Sequence, residues 1–428
     1  MLKQLILENW KSFRYAELPL DPLTVLIGTN ASGKSNVVEA LEFLQRIARG
    51  KNIETALAGD NQLPSIRGGL EWTALKPETQ FTLKAFVQGE DENTDYIYSI
   101  TVQTQPFLQT LNLDIICREN QQQYNTNLQK DYYLVTSQFL GDRLEQKINI
   151  YSDSNVKSYL FNEDKNIFFS RELIINFLMY QLGREKNDKK WLQKNLFVIN
   201  ELFATLVNIF IFNPIPSKIR DYSRLSDKLE SDGSNIAGVL AALDSGQKAE
   251  VESTLSAYIK DLPEGDIKKV FAEPVGRLKT DAMLYCEEEW KPGETTLIDA
   301  RTMSDGTLRF IAILTALLTR PEGSQIVIEE IDNGLHPSRA NLLVKILREI
   351  GSKRKIDILL TTHNPALLDA LGPEIVPFVV VAHRDAETGE SKLTLLEDIE
   401  NLPLLLASGS LGKLATKGAI ERSLSEKK

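Results

Sequence analysis

The sequence predicts an α/β fold with a mixed central sheet and flanking helices, an antiparallel β subdomain and a mainly helical insertion. Three observations carry that expectation. The apolar run Leu23-Thr24-Val25-Leu26-Ile27 passes into the glycine loop Gly28-Thr29-Asn30-Ala31-Ser32-Gly33-Lys34-Ser35 and then into residues 36–44, where apolar side chains recur at helical spacing. A second apolar strand, Gln325-Ile326-Val327-Ile328, ends in Glu329-Glu330 and is followed by helical residues 337–350 and a strand at 356–361. Residues 65–102 hold alternating segments such as Phe81-Thr82-Leu83-Lys84-Ala85-Phe86-Val87, which read as antiparallel strands.

Taken in order, residues 2–8 alternate as a strand, Asn9-Trp10-Lys11-Ser12-Phe13 form a turn, and a second strand runs to about residue 20. Asp21-Pro22 resets the chain before the glycine loop. The stretch 105–246 is the least informative: a Gln/Asn/Tyr-rich patch at 120–133, then helical patterns at 171–182 and 191–211, closed by Asn213-Pro214-Ile215-Pro216. No heptad pattern is sustained, so a long coiled coil is not expected. A helix at 251–260 leads to strands through residue 298, and Ser304 opens an apolar helix carrying Leu308, Ile311, Ala312, Leu314, Thr315 and Leu318. The expected division is residues 1–105, an inserted region 106–250, and residues 251–428.

With 42% hydrophobic and 25% charged residues, the 428-residue chain has the composition of a soluble globular protein. Its net charge of −10 argues against a surface that coats nucleic acid, while leaving room for a local basic groove. Cys117 and Cys286 fit no metal spacing and read as buried structural thiols of a reducing, cytoplasmic compartment. No apolar run approaches the roughly 20 residues that span a bilayer. Residues 1–13 lack the apolar core of a signal peptide.

The loop Gly28 to Ser35 fits the phosphate-binding pattern G-x-x-x-x-G-K-[ST] in its required strand-to-helix setting. The first N–H groups of a helix have no intrahelical acceptor and are suited to an anion. Gly28, Asn30, Ser32, Gly33, Lys34, Ser35 and Asn36 are therefore candidates to bind ATP, with Lys34 toward the β- and γ-phosphates and Ser35 as a ligand of Mg²⁺. An acidic pair after a strand fits a solvated strand end as well as a catalytic pair when taken alone. Beside a phosphate loop, Glu329 would organise the Mg²⁺ shell and Glu330 would orient or deprotonate a water. A strand of this kind is expected directly beside the phosphate-loop strand. Met303-Ser304-Asp305-Gly306-Thr307 offers a capped, glycine-containing helix start, which is also how an ordinary core helix begins. His363, in Thr361-Thr362-His363-Asn364-Pro365, is a candidate hydrogen-bond partner of a γ-phosphate.

The ordered series GTNASGKSN, MSDGT, IVIEEIDNGLHP and LLTTHNPALLD resembles the ABC-type ATPases of the RecF and SMC superfamily, and most of all the branch related to the OLD ATPases of bacterial anti-phage systems. The resemblance implies an ABC-type ATPase head. It gives Glu329 the Walker B role, Glu330 the role of catalytic glutamate, Ser304 to Thr307 that of the ABC signature, Asn333 to Pro337 that of the D-loop, and His363 that of the switch histidine. Ser304, Gly306 and Asn333 would meet the nucleotide of a second copy. Glu329 stands where an aspartate is usual, and Asp305 where a glycine often stands. No convincing Q-loop glutamine is found; Gln62 and Gln80 are the candidates, and Arg67-Gly68-Gly69 fits a strand-entry turn as well as the corresponding region. Pro214 to Arg220 and Asp232-Gly233-Ser234-Asn235 resemble the linker region of these relatives.

From the resemblance follow a homodimer or higher homo-oligomer closed by ATP, and hydrolysis that releases it. OLD proteins carry a Toprim nuclease after the ATPase; no Glu-Gly-x-x-Asp motif follows His363 here, and Glu264-Gly265-Asp266 lacks the spacing, so a separately encoded effector protein is expected. The alternative is a RecF-type DNA-binding ATPase of repair or recombination, with Lys345, Arg348, Lys353, Arg354 and Lys355 as its best basic cluster.

Overall fold

The computed structural model describes residues 1–61, 63–123, 126–140, 145–151, 156–161, 174–176, 179, 189–263 and 266–425. Strands β1 (Leu2–Trp10), β2 (Phe13–Pro19) and β3 (Leu23–Ile27) precede helix α1 (Lys34–Ala48). Strands β4 (Gln80–Gln88), β5 (Thr94–Gln103), β6 (Gln109–Gln123), β7 (Thr126–Leu140), β8 (Glu145–Tyr151) and β9 (Val156–Phe161) follow, then α2 (Lys189–Val207). Next come β10 (Ile209–Phe212), β11 (Ser223–Arg224), α3 (Ser245–Lys260), β12 (Ile267–Val275), β13 (Asp281–Lys291), β14 (Glu294–Asp299) and α4 (Asp305–Thr319). The chain closes through β15 (Gln325–Ile328), α5 (Ala340–Arg354), β16 (Asp357–Thr361), α6 (Pro365–Leu371), β17 (Val379–Arg384) and β18 (Ser391–Leu395), with short helices after it.

Two compact units divide these elements. Unit one comprises Met1–Leu20, Asn30–Ile209 and Ala382–Leu393; unit two comprises Asp21–Thr29, Phe210–Val381 and Thr394–Lys428.

Unit one is built on an eight-stranded sheet of order β2-β1-β4-β5-β6-β7-β8-β9, antiparallel at every pairing. Alternation along β1 turns Leu5 and Leu7 to one face, where they are fully buried opposite Ala85 and Leu83. On that side Trp10, Phe43 of α1 and Phe81 of β4 pack ring against ring, with centroids 4.8 to 6.0 Å apart. Phe203 of α2 meets Tyr98 of β5 at 5.7 Å. Ile6, Phe86, Ile97 and Ile116 form a smaller cluster.

Unit two holds most of a six-stranded sheet of order β10-β15-β16-β3-β17-β18. Its pairs β15 with β16, β16 with β3, and β3 with β17 are parallel, and strands buried on both faces read as near-continuous apolar runs. Helices α4 and α5 supply many of the buried side chains of its core, among them Phe310, Leu314, Leu343 and Leu347. A small antiparallel sheet, β11-β13-β12 with β14 on β13, completes it.

This is the mixed α/β architecture that the sequence predicts, with three differences of detail. The strand beside β3 is β16, not β15: Thr361 pairs with Leu26, and Ile328 with Leu360. Partner choice between parallel strands is a long-range matter on which local pattern is silent. The Gln/Asn/Tyr-rich patch falls on β6 and β7, lengthening the antiparallel sheet. Helix α3 begins six residues before the expected start, because Asp244 accepts hydrogen bonds from the N–H groups of Gly246 and Gln247 and caps it there. The helix expected at 171–182 lies largely outside the described residues, as do Gln62 and the Glu264-Gly265 pair. Both cysteines are buried and free, and burial raises both thiol pKa values, that of Cys286 to about 12.

Candidate functional site

Strand β3 ends at Ile27 and the chain crosses from unit two to unit one between Thr29 and Asn30. Within unit one the loop then reaches α1 through Ala31 at φ 63° and Gly33 at φ 111°. A Cβ on Gly33 would stand 2.8 Å from both Phe13 Cζ and Ser391 Oγ, so its backbone conformation and its surroundings both require glycine. The neighbouring contacts hold this close approach. Asn36 Nδ2 donates to Ser12 Oγ at 2.7 Å, Ser391 Oγ donates to the same oxygen at 2.8 Å, and Trp10 Nε1 donates to the Asn36 carbonyl at 2.7 Å. Arg384 Nε donates to the Ala31 carbonyl at 3.0 Å. Trp10, Ser12, Arg384 and Ser391 thus shape the loop, and sequence reading missed all four in that role. The Asn9-to-Phe13 turn was legible, but what it touches was not.

Ser32 Oγ is buried and has no hydrogen-bond partner among the described residues. A buried hydroxyl of this kind favours a polar group brought to it. A groove of about 610 Å³ opens beside Asn36, lined by Lys11, Arg67, Lys76, Arg384 and Glu390 together with the exposed Trp72. Glu39, on α1, lies beneath it and accepts from Lys11 Nζ and from Arg67 Nε at 2.7 Å.

Unit two gathers the acidic pair, the capped helix start and His363. Glu330 follows β15 with φ 48°, an uncommon conformation for a residue with a side chain. Its backbone is held from both sides: its N–H donates to Thr361 Oγ1 at 2.8 Å and its carbonyl accepts from Arg309 Nη2 at 2.9 Å. The same guanidinium reaches the Glu329 carbonyl at 3.3 Å and the Pro214 carbonyl at 3.1 Å. Arg309 is almost wholly buried, and that burial lowers its pKa against the opposing pull of Asp332 and Glu330. Thr362 Oγ1 donates to Asp332 Oδ1 at 2.5 Å, and the Ile331 N–H reaches the Thr361 carbonyl at 3.2 Å. The segment bearing the two glutamates is therefore stitched to the end of β16, from which exposed His363 projects just before the cap of α6.

Ser304 caps α4 by accepting from the Thr307 N–H at 3.1 Å. A Cβ on Gly306 would lie 2.8 Å from the Gly334 carbonyl, so the Ser304-to-Thr307 loop and the Asn333-Gly334 turn abut within the chain. Arg220 donates to the carbonyls of Ala300, Arg301 and Met303 and to Asp305 Oδ1. The resemblance marked residues 214–220 as a linker without indicating what Arg220 holds, and sequence reading missed Arg309. For Arg309 a signal existed, a lone charge between Leu308 and Phe310 in an apolar helix.

Among the described residues no helix is long and apolar enough to cross a membrane. No curated protein matches the chain. Among solved structures it is similar to an SMC head bound to the C-winged helix domain of ScpA, at 12% identity and TM-score 0.49 over 92% of this chain and 97% of that one. It is also similar to the SMC head domain from Thermotoga maritima, at 12% identity and TM-score 0.42 over 92% and 98%. A third is an Smc head domain with an extended coiled coil bound to the C-terminal domain of ScpA, derived from Pyrococcus furiosus, at 12% identity and TM-score 0.44 over 95% and 99%. The family model AAA_21, described as "AAA domain, putative AbiEii toxin, Type IV TA system", matches residues 23–369, most of the 428-residue chain. With the phosphate loop in its strand-to-helix setting and the family match spanning it, the chain belongs to this AAA-domain family and is a nucleotide-binding P-loop ATPase.

Proposed function

We propose that the chain binds and hydrolyses ATP as an ABC-type ATPase of the RecF and SMC superfamily, in its OLD-related branch, and works as a nucleotide-driven pairing switch. Lys34, Ser35 and the backbone of residues 28–36 hold the phosphates, and the groove beside Asn36 takes the rest of the nucleotide. The orphaned Ser32 hydroxyl and the side-chain-free approach at Gly33 fit an anion in that loop. For Mg²⁺ the donors are oxygens, Ser35 and Glu329, which suits a hard cation held by few protein ligands and by phosphate. The ion would neutralise charge on the transferring phosphoryl group. Glu330 orients the attacking water, His363 faces the γ-phosphate, and Ser304, Gly306 and Asn333 serve the nucleotide of a second copy.

The observation that carries this reading is the abutment of the Ser304-to-Thr307 loop on Asn333-Gly334, beside a glutamate held at φ 48° by Arg309 and Thr361. A routine capped helix needs neither. ATP that binds the closed pair better than separate chains shifts the population by that difference in affinity.

The biological setting we assign is bacterial anti-phage defence, the chain being a sensor or scaffold for a separately encoded effector and residues 106–250 recognising the trigger or partner. The description of the matching family, which names a toxin of a TA system, supports a role beside another gene product. The alternative DNA-binding reading loses support from its best basic cluster: Arg348 pairs with Glu374 at 2.7 Å, Lys345 with Asp261 at 3.6 Å, and Arg354 donates to the Leu317 carbonyl at 2.8 Å. DNA-stimulated, salt-sensitive ATPase activity would nonetheless favour repair over defence.

Size-exclusion chromatography with and without ATP tests the switch. Glu330→Gln is expected to accumulate an ATP-dependent dimer, and Lys34→Ala to remain single. A Glu330→Gln protein unchanged by ATP would overturn the proposal.

A further inference from the structure

Among the described residues of unit two, Arg220 makes four hydrogen bonds that the nucleotide motifs do not account for. The two N–H bonds of its Nη1 are shared among three acceptors of one turn, the carbonyls of Ala300 at 3.2 Å, Arg301 at 3.0 Å and Met303 at 2.6 Å. Its Nη2 pairs with Asp305. One planar guanidinium therefore grips the loop on both sides of Ser304, a geometry that a lysine ammonium does not reproduce.

The position from which it reaches is itself fixed. The Asn213 and Ile215 N–H groups donate to the carbonyls of Ser231 and Asp232 at 2.8 Å each, Lys218 pairs with Asp232 at 2.9 Å, and Ile219 is buried. The Pro214 carbonyl at the other end of this short segment accepts from Arg309 Nη1, whose Nη2 holds the Glu329 and Glu330 carbonyls. Residues 214–220 thus lie between two arginine contacts, one to the Ser304 loop and one to the backbone of the acidic pair.

We infer that Arg220 is a positioning residue that sets the Ser304-to-Gly306 loop for the nucleotide of a second copy, and that residues 214–220 link that loop to Glu330. The inference rests on the composite-site reading above. Arg220 touches no reacting atom; it acts through the loop that it holds.

The two roles separate in mixtures. Arg220→Ala leaves the phosphate loop of its own chain intact, so kcat is expected to fall about tenfold or more while KM for ATP moves less than about twofold. Lys34→Ala keeps an intact Ser304 loop but a dead phosphate loop. Lys34→Ala remains single by itself, but in an equal mixture it pairs through the ATP held by the Arg220→Ala chain; each such pair has one complete site, and activity is expected to rise well above the sum of the two impaired proteins. Ser304→Arg mixed with Lys34→Ala is the reference for such a rise, and Arg220→Ala mixed with Ser304→Arg is expected to give none.

Wild-type kcat in Arg220→Ala would overturn the inference while leaving the switch standing. So would a rise in the Ser304→Arg mixture without one in the Arg220→Ala mixture, since a misfolded chain is not complemented. If neither mixture with Lys34→Ala regains activity, the composite site falls and the role of Arg220 falls with it.

Discussion

Glu39→Ala is expected to be among the most damaging substitutions in unit one, although Glu39 belongs to no motif. Its carboxylate accepts from Lys11 Nζ, from Arg67 Nε at 2.7 Å and from the Arg67 N–H at 3.3 Å. The side chains of Lys11 and Glu39 are only 7% and 6% exposed, so the surface-pair figure of about 0–1 kcal/mol does not apply. Removing Glu39 leaves the Lys11 ammonium buried against the Arg67 carbonyl and the Trp10 ring. An uncompensated buried charge of that kind costs about 3–5 kcal/mol. Arg67 is 65% exposed, keeps its water, and adds little. Burial already lowers the Lys11 pKa despite the Glu39 bond. The unfolded state therefore binds more protons than the folded one above that lowered pKa, and stability from this group rises with pH. Urea unfolding followed by tryptophan fluorescence should show the full deficit near neutral pH and a smaller one at alkaline pH. Lys11→Met with Glu39→Leu should recover most of the loss, because an apolar pair leaves no charge behind. A deficit below about 1 kcal/mol at neutral pH, or one that grows with pH, would refute the reasoning.

Two further outcomes follow from single positions. Gly33→Ala places a side chain at φ 111° with its Cβ 2.8 Å from Phe13 and Ser391; a strain of about 1–3 kcal/mol and loss of nucleotide binding are expected, read by thermal melting and titration with a fluorescent ATP analogue. Burial raises the Asp357 pKa to about 6, so its contribution to stability is fully present below 3.8 and is lost as pH rises through 6. Asp357→Asn should therefore raise the melting temperature at pH values above 6 and do little near 3.8; equal shifts at both would count against buried Asp357 as the cause.

Much of the site was legible because its signals are local. The glycine loop, the acidic pair after β15 and the Ser304 cap each depend on residues within a turn or two of one another, where periodicity, capping and glycine's freedom act. Residues 105–246 were obscure for the opposite reason. Strands β6 and β7 carry Gln, Asn and Tyr without clean alternation; β6 pairs with β5 and β7 with β6, and no window of sequence contains those partners.

The sequence alone determined that a nucleotide loop exists, which residues form it, and that an acidic strand end and a capped helix accompany it. Only the tertiary structure decided their arrangement. It set β16 between β15 and β3, so that Thr361 came to hold Glu330. It also directed Arg220 and Arg309 to backbone carbonyls 80 and 20 residues away, and tied much of the basic cluster of α5 to neighbouring acids and a carbonyl. The physical reason is that hydrogen bonding and strain within a turn are set by neighbours in the chain. Strand order and the partners of a buried guanidinium are set by which distant segments exclude water together.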